Sequence, residues 1–300
     1  MQFNEIFNTT DDEMITLSIC RAADTEILAQ IFRLIDEKNI TAHLVDDEKH
    51  LKDMISKLDK AYLSSPNIVL HHADGDIEAA EIAVSLAAAG TCNVLMKGML
   101  STSVILKEVL RKDHQLVSGN LLSHIALFDL PNYHKSILLS DSGMNIDPDI
   151  ETMKSIINNA VGTAHQLKIT HPKIALLSAV EKVNSRIAAT VSAESLTSYY
   201  KNSNDFTVDG PLQYDLAVSA KAAVQKGFKS TVAGDADVLI VPDLNVGNIL
   251  YKSLVYTGGA RVAAMVTGAK VPIVLTSRSD SSEDKYHSIC LAVYSINNKI

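Results

Sequence analysis

This sequence predicts an α/β protein with mostly parallel sheets in two domains, and three observations predict it. Short apolar runs alternate with longer stretches of helical periodicity along most of the chain, the pattern of strand–helix–strand crossovers. The strand-like runs are apolar at successive positions, as in "CNVLMKG" (92–98) and "DVLIVPD" (237–243), so both faces of each sheet are covered, as parallel sheets require. The chain has 300 residues of which 47% are apolar, enough for two cores of ordinary size.

Taken in order, "MITLSIC" (14–20), "ITAHLV" (40–45), "NIVLHH" (67–72) and "CNVLMKG" read as strands, being short, β-branched and bounded by polar residues. Between them "DTEILAQIFRLIDEKN" (24–39) and "DIEAAEIAVSLAAAG" (76–90) read as helices, the second closing on Gly90. A second series opens with the strand "SILLSD" (136–141) and a helix in "DPDIETMKSIINNAVGTAHQLK" (147–168), with Pro148 suited to its first turn. The strand "KIALLSA" (173–179), a helix near 190–201, the strand "FTVDG" (206–210), a helix near 213–226, "DVLIVPD" and a helix near 245–257 follow. "VAAMVTG" (262–268), "PIVLTSR" (272–278) and a C-terminal helix complete the pattern.

No Pro/Gly/Ser linker, repeat or low-complexity tract divides the chain. The expected seam is "FDLPNYHKS" (128–136), where Pro131 and polar aromatic residues interrupt the alternation. The last strand and helix are expected to return and complete the first sheet, which would give a discontinuous first domain of residues 1–128 and 268–300 and a second domain of residues 129–267 inserted into it.

Composition excludes several classes. A formal net charge of −8 argues against a nucleic-acid binder, which needs an excess of phosphate-neutralising Lys and Arg. Cys20, Cys92 and Cys290 are widely spaced in apolar surroundings, which suits reduced core thiols and a cytoplasmic location. The start "MQFNEIFNTTDDEM" is acidic, and no apolar run reaches the ~20 residues that span a bilayer, so no membrane partner is expected. GxxxxGK[ST], GxGxxG after the first strand, GxSxG and HExxH are all missing. His71 and His72 are adjacent on a strand, which sends them to opposite faces and speaks against a shared metal; no metal and no permanently bound cofactor are expected.

Ligands of parallel sheets bind beyond the carboxyl ends of the strands. The polar residues at those ends are Lys97, Asp141, Glu181, Lys182, Asp209, Asp243, and Ser277 with Arg278. Each has a bland reading as a helix cap or a solvated charge; together they mark candidate sites. Ser101, Thr102 and Lys107 in "KGMLSTSVILK" follow a strand and open a helix, where hydroxyls and free N–H groups hold phosphate.

Several ordered segments then carry a resemblance. "DGPLQYDLAVS" (209–219), "TVAGDADVLIVPDLNVGNILYKSLVY" (231–256) and "PIVLTSRSDSSED" (272–284) resemble the phosphate acetyl/butyryltransferase family. "SHIALFDLPNYHK" (123–135), "MNIDPDIETMKSIINNAV" (144–161) and "AVEKVNSRIAATV" (179–191) resemble its butyryltransferase branch. The similarity is plain from about residue 92 onward and diffuse before it. It implies two isocitrate/isopropylmalate-dehydrogenase-like three-layer domains, the second inserted in the first, with an active-site cleft between them. It also implies a homodimer or higher homo-oligomer and reversible transfer of a short acyl group, butyryl or branched-chain, between coenzyme A and inorganic phosphate. Coenzyme A is then a substrate, with acyl-CoA, phosphate and acyl phosphate as the other small-molecule partners.

The resemblance implies a catalytic set of Ser277, Arg278 and Asp284. If Asp280 or Ser281 caps the last helix, its positive end and free N–H groups suit an anion. Arg278 offers a planar fork for phosphate oxygens, Ser277 a hydroxyl for an oxyanion, and Asp284, about one turn into the helix, a base for the coenzyme A thiol. Asp215, Asn248 and Lys252 lie in the most recognisable segments and join Lys97, Ser101, Thr102, Lys107, Asp141 and Lys182 as binding candidates. Lys107 and Val117 stand where relatives carry arginine, and lysine lacks arginine's bidentate grip. Two other functions share these features: a metal- and NAD-dependent hydroxy-acid dehydrogenase of the same fold, and a silent acyl-CoA-binding module.

Overall fold

The computed structural model describes residues 1–7, 15–38, 40–117, 121–276 and 280–298. In chain order these form β1 (Ile15–Cys20), α1 (Thr25–Lys38), β2 (Ile40–Asp46), α2 (Glu48–Leu58), β3 (Ile68–His72), α3 (Asp76–Ala88), β4 (Val94–Lys97) and α4 (Thr102–Val109). Next come β5 (Ser123–Asp129), β6 (Ile137–Ser140), α5 (Ile150–Gln166), β7 (Lys173–Leu177), α6 (Ala188–Tyr200), β8 (Thr207–Leu212), α7 (Tyr214–Val218), α8 (Ala220–Gln225), β9 (Val238–Ile240) and α9 (Leu244–Tyr256). β10 (Arg261–Thr267), β11 (Ile273–Leu275) and α10 (Ser282–Asn297) follow.

The chain forms two compact units, residues 6–120 with 263–299, and residues 121–262 with 1–5. In the first, the strand order is β3-β2-β1-β4-β11-β10. The β2, β1, β4 and β11 neighbours run parallel, and β10 meets β11 antiparallel. All four residues of β4 are buried, so both faces of its sheet are covered. Ser18 donates to the Ala83 carbonyl at 2.9 Å, which places α3 over the Ser18 face of β1. Leu17, Ile19, Leu44 and Met96 are fully enclosed.

In the second unit the order is β5-β6-β9-β7-β8, with β5–β6 antiparallel and the other neighbours parallel. The buried β6 again implies helices on both faces. Gly247 in α9 is required by close approach, since a Cβ there would lie 2.4 Å from the Asp141 carbonyl oxygen.

Several expectations need correcting. The stretch 128–136 is the end of β5 and its turn into β6; their antiparallel pairing keeps both strands in one unit, and the units part at residues 120 and 262. β5 itself and α2 were not anticipated. The helix expected near 213–226 is broken at Ser219, whose hydroxyl accepts from the Ala222 N–H at 3.2 Å and restarts the chain as α8. Pro148 lies outside α5, because Asp149 is the cap and accepts from the Thr152 N–H at 2.8 Å.

Candidate active site

In the first unit, register sets three strand ends side by side: Cys20, Lys97 and Leu275 occupy one level of β1, β4 and β11. Lys97 is buried at 6% exposure and its ammonium donates to the carbonyls of Gly98 and Leu100 at 3.1 and 3.3 Å. It thereby shapes the turn that leads into α4. Gly98 is needed there, since a Cβ would sit 2.1 Å from the Arg21 carbonyl oxygen. Ser101 caps α4 without a side-chain cap bond and shares a 2.9 Å hydrogen bond with Ser103. Ser101 and Thr102 are exposed, and Lys107 is exposed in the last turn of α4. Val117 is half-buried.

Burial first, then Asp76 and Asp46, push the Cys20 thiol up to about 12, so it is not a nucleophile at neutral pH. Arg21, which sequence reasoning did not single out, follows β1 directly and pairs with Asp46 and, at 3.0 Å, with Asp76. A cation right after a buried strand was the available signal.

Ser277 and Arg278 lie outside the described residues. Asp284 lies in the first turn of α10, whose cap is Ser281 rather than Asp280. The Ser281 hydroxyl accepts from the Asp284 N–H at 3.1 Å and donates to the Asp284 carboxylate at 2.7 Å, while the Ser281 N–H reaches the same oxygen at 3.4 Å. This capping box satisfies donors that the helix start leaves open and holds the carboxylate over its own helix end.

In the second unit, Asp141 is 2% exposed and its carboxylate accepts from the N–H groups of Gly143, Met144 and Asn145 at 2.9, 3.0 and 3.3 Å and from Asn145 Nδ2 at 2.6 Å. These bonds occupy the carboxylate in folding its own loop. Asp243 caps α9 through the Val246 N–H at 3.1 Å, and Asp209 accepts from the Gly210 N–H at 2.8 Å. Asp215 pairs with Lys226 at 2.9 Å, and that hydrogen bond holds its carboxyl below the ordinary range. Lys182 is exposed, as is Asn248 on α9. Lys252 lies 5.3 and 5.7 Å from the ring centres of Tyr251 and Tyr256.

The Lys182 loop is pinned from below. Thr190, fully buried, accepts from the Asn184 N–H at 2.9 Å and bonds the Asn184 and Ile187 carbonyls at 3.0 and 2.8 Å. Beside it, an apolar hollow of ≈ 550 Å³ opens at the ends of β7 and β9, lined in part by Leu177, Ile187, Pro242, Val246, Ile249 and Leu250. Among the described residues, no group of three or more His, Cys, Asp or Glu side chains is arranged to hold a metal ion.

Comparison with known proteins adds the relationship. Residues 21–293 match the family model described as phosphate acetyl/butaryl transferase, so the relationship reaches well before residue 92. The chain is 42% identical over 280 residues to a probable phosphate butyryltransferase of Bacillus subtilis (strain 168), covering 93% of this chain and 92% of the relative. It is 34% identical over 278 residues to a phosphate acetyltransferase of Thermotoga maritima, covering 92% and 93%. Among solved structures, a branched-chain phosphotransacylase from Enterococcus faecalis V583 superposes with a TM-score of 0.85 at 39% identity, covering 94% of this chain and 99% of that one.

Proposed function

Because the chain belongs to the phosphate acetyl/butaryl transferase family, we propose that it catalyses acyl-CoA + phosphate ⇌ acyl phosphate + CoA, with a butyryl or branched-chain acyl group. The observation that carries this reading is the family match over residues 21–293, within which Asp284 stands in the capped first turn of α10. The similarity to a butyryltransferase and to a branched-chain phosphotransacylase supports the acyl choice.

In the proposed mechanism Asp284 takes the proton of the coenzyme A thiol as the sulfur attacks the acyl phosphate carbonyl. A thiol is a weak nucleophile near neutral pH, so proton transfer to Asp284 accompanies C–S bond formation. Ser277 steadies the oxyanion of the tetrahedral intermediate, and Arg278 holds the departing phosphate through its planar fork. Lys97 fixes the turn that presents Ser101 and Thr102, which with Lys107 would contact phosphate. Lys182, Asn248 and Lys252 are assigned to substrate binding, while Asp141 and Asp215 hold their own loop and helix.

We assign α9 to a homodimer contact. Its only charge is Lys252, and Val246, Ile249 and Tyr256 stand 39%, 67% and 63% exposed beside the apolar hollow. An uncharged apolar stripe meets its own copy without repulsion, as a two-fold interface requires. Ile249→Lys should shift the particle to half the mass in light scattering; an unchanged mass refutes this assignment. Three buried free thiols suit a reducing cytoplasm, and no helix among the described residues is long and apolar enough to cross a membrane.

The activity is tested by following free-thiol release from acetyl-, butyryl- and isobutyryl-CoA with and without phosphate. Release that requires phosphate and is faster with butyryl- or isobutyryl-CoA supports the reading. NAD reduction with a hydroxy acid, or binding without turnover, overturns it.

A further inference from the structure

Asp284 is flanked in α10 by Glu283 and Lys285, and both neighbours are tied to α1. Lys285 is buried at 6% exposure, and its ammonium meets Glu26 at 2.5 Å. Glu283 accepts from Arg33 at 3.0 Å. The Arg33 guanidinium lies 3.8 Å from the Tyr286 ring centre and pairs with Glu37 at 3.1 Å, while the Tyr286 hydroxyl donates to Glu37. Glu26, Arg33 and Glu37 are spaced along one face of α1.

Stability alone does not account for this brace. Glu26 and Glu283 are 57% and 62% exposed, and ion pairs open to water contribute little. Burying the Lys285 ammonium costs free energy that an apolar side chain of similar volume would not. What the arrangement supplies is a fixed rotation of the first turn of α10. A side chain on a helix of ~10–12 Å diameter sits ~5–6 Å from the axis, so a 10° rotation moves it by about 1 Å. A displacement of that size costs about 10²-fold in a reaction that depends on alignment. Among the described residues the Asp284 side chain is engaged within its own turn, with Ser281, so its direction follows the helix.

We propose that Lys285, held by Glu26, is a positioning residue that aims the Asp284 carboxylate at the coenzyme A thiol. The proposal rests on Asp284 being the base. It is tested by kcat and KM for coenzyme A and butyryl phosphate in Lys285→Met, Lys285→Arg and Glu26→Gln, and in Lys285→Met combined with Asp284→Asn. Lys285→Met should lower kcat by about 10- to 100-fold with both KM values within about twofold. Lys285→Arg, which can still bridge to Glu26, should recover most of the loss. Glu26→Gln changes a half-exposed side chain and keeps the fold testable; it should lower kcat by about 3- to 10-fold. In the Asp284→Asn background Lys285→Met should cost nothing further, because there is no base left to aim. A raised KM with kcat retained, losses that multiply in the double variant, or wild-type kcat in Glu26→Gln would each overturn the proposal while leaving Asp284 as base. Full activity in Asp284→Asn alone removes the base and the positioning role together.

Discussion

Asp284→Asn separates the chemistry of α10 from its stability, because the structure shows what else the change touches. The carboxylate accepts from the Ser281 hydroxyl at 2.7 Å and from its N–H at 3.4 Å, and the Asp284 N–H is untouched by the substitution. Asparagine retains an acceptor oxygen and loses the charge near the helix start, a loss of about 0.3–1 kcal/mol. Tm should therefore fall by no more than about 2–4 °C. Losing the base should lower the rate by about 10²–10⁴, which is about 2.7–5.5 kcal/mol of barrier. A stability change of 1 kcal/mol leaves nearly all the protein folded, so it cannot produce that fall. The assay is consumption of coenzyme A thiol by butyryl phosphate at neutral pH, paired with thermal unfolding and coenzyme A titration. Asp149→Ala is the control: it removes the cap of α5, costs about 0.5–2 kcal/mol of stability, and leaves Asp284 and its capping box intact. Coenzyme A affinity should change little in Asp284→Asn. Wild-type turnover in a normally folded Asp284→Asn protein would show that the residue is a helix-start acid and nothing more.

Two further outcomes are expected. Arg278→Lys keeps charge and loses the fork, so the KM for phosphate should rise by about tenfold or more while Tm holds; an unchanged phosphate dependence in steady-state kinetics removes Arg278 as a phosphate ligand. His43 Nδ1 and His71 Nε2 are 2.9 Å apart on β2 and β3, and burial lowers both pKa values, with His71 lowering that of His43 further. The folded state therefore binds fewer protons than the unfolded one just below the ordinary value near 6.5, and stability falls as pH drops through that region. His43→Asn with His71→Asn should flatten the slope of urea midpoint against pH between about 6.5 and 5; an unaltered slope refutes the assignment.

The fold was legible where local chemistry and burial agree. β4, β6 and β9 each carry three successive apolar residues because both faces are covered, and α3 ends where Gly90 takes a positive φ. β5 was passed over because Pro131 and Tyr133 follow it closely; its pairing with β6 is antiparallel and long enough to override those turn signals. α2 was passed over because its buried face is narrow, Leu51 and Ile55, and its sequence is otherwise charged. What sets it is the Asp47 cap, bonded to the His50 N–H at 2.6 Å.

The candidate site is legible as residue types at strand ends and illegible as partnerships. Asp141 and Lys97 stand at the predicted places, yet each is engaged with backbone groups of its own loop, a fact that spacing does not encode. The same holds for Lys285, which reads in sequence as an ordinary helix-surface lysine until Glu26, 259 positions away, is found against it. Asp284 differs from these because its partner is local: a hydroxyl residue three positions before a carboxylate is a capping signal that sequence carries directly. Partnerships between distant elements, such as Lys285 with Glu26, are thus the ones sequence hides. Asp284 is named through the family resemblance, and the box that holds its carboxylate lies within a single turn of helix.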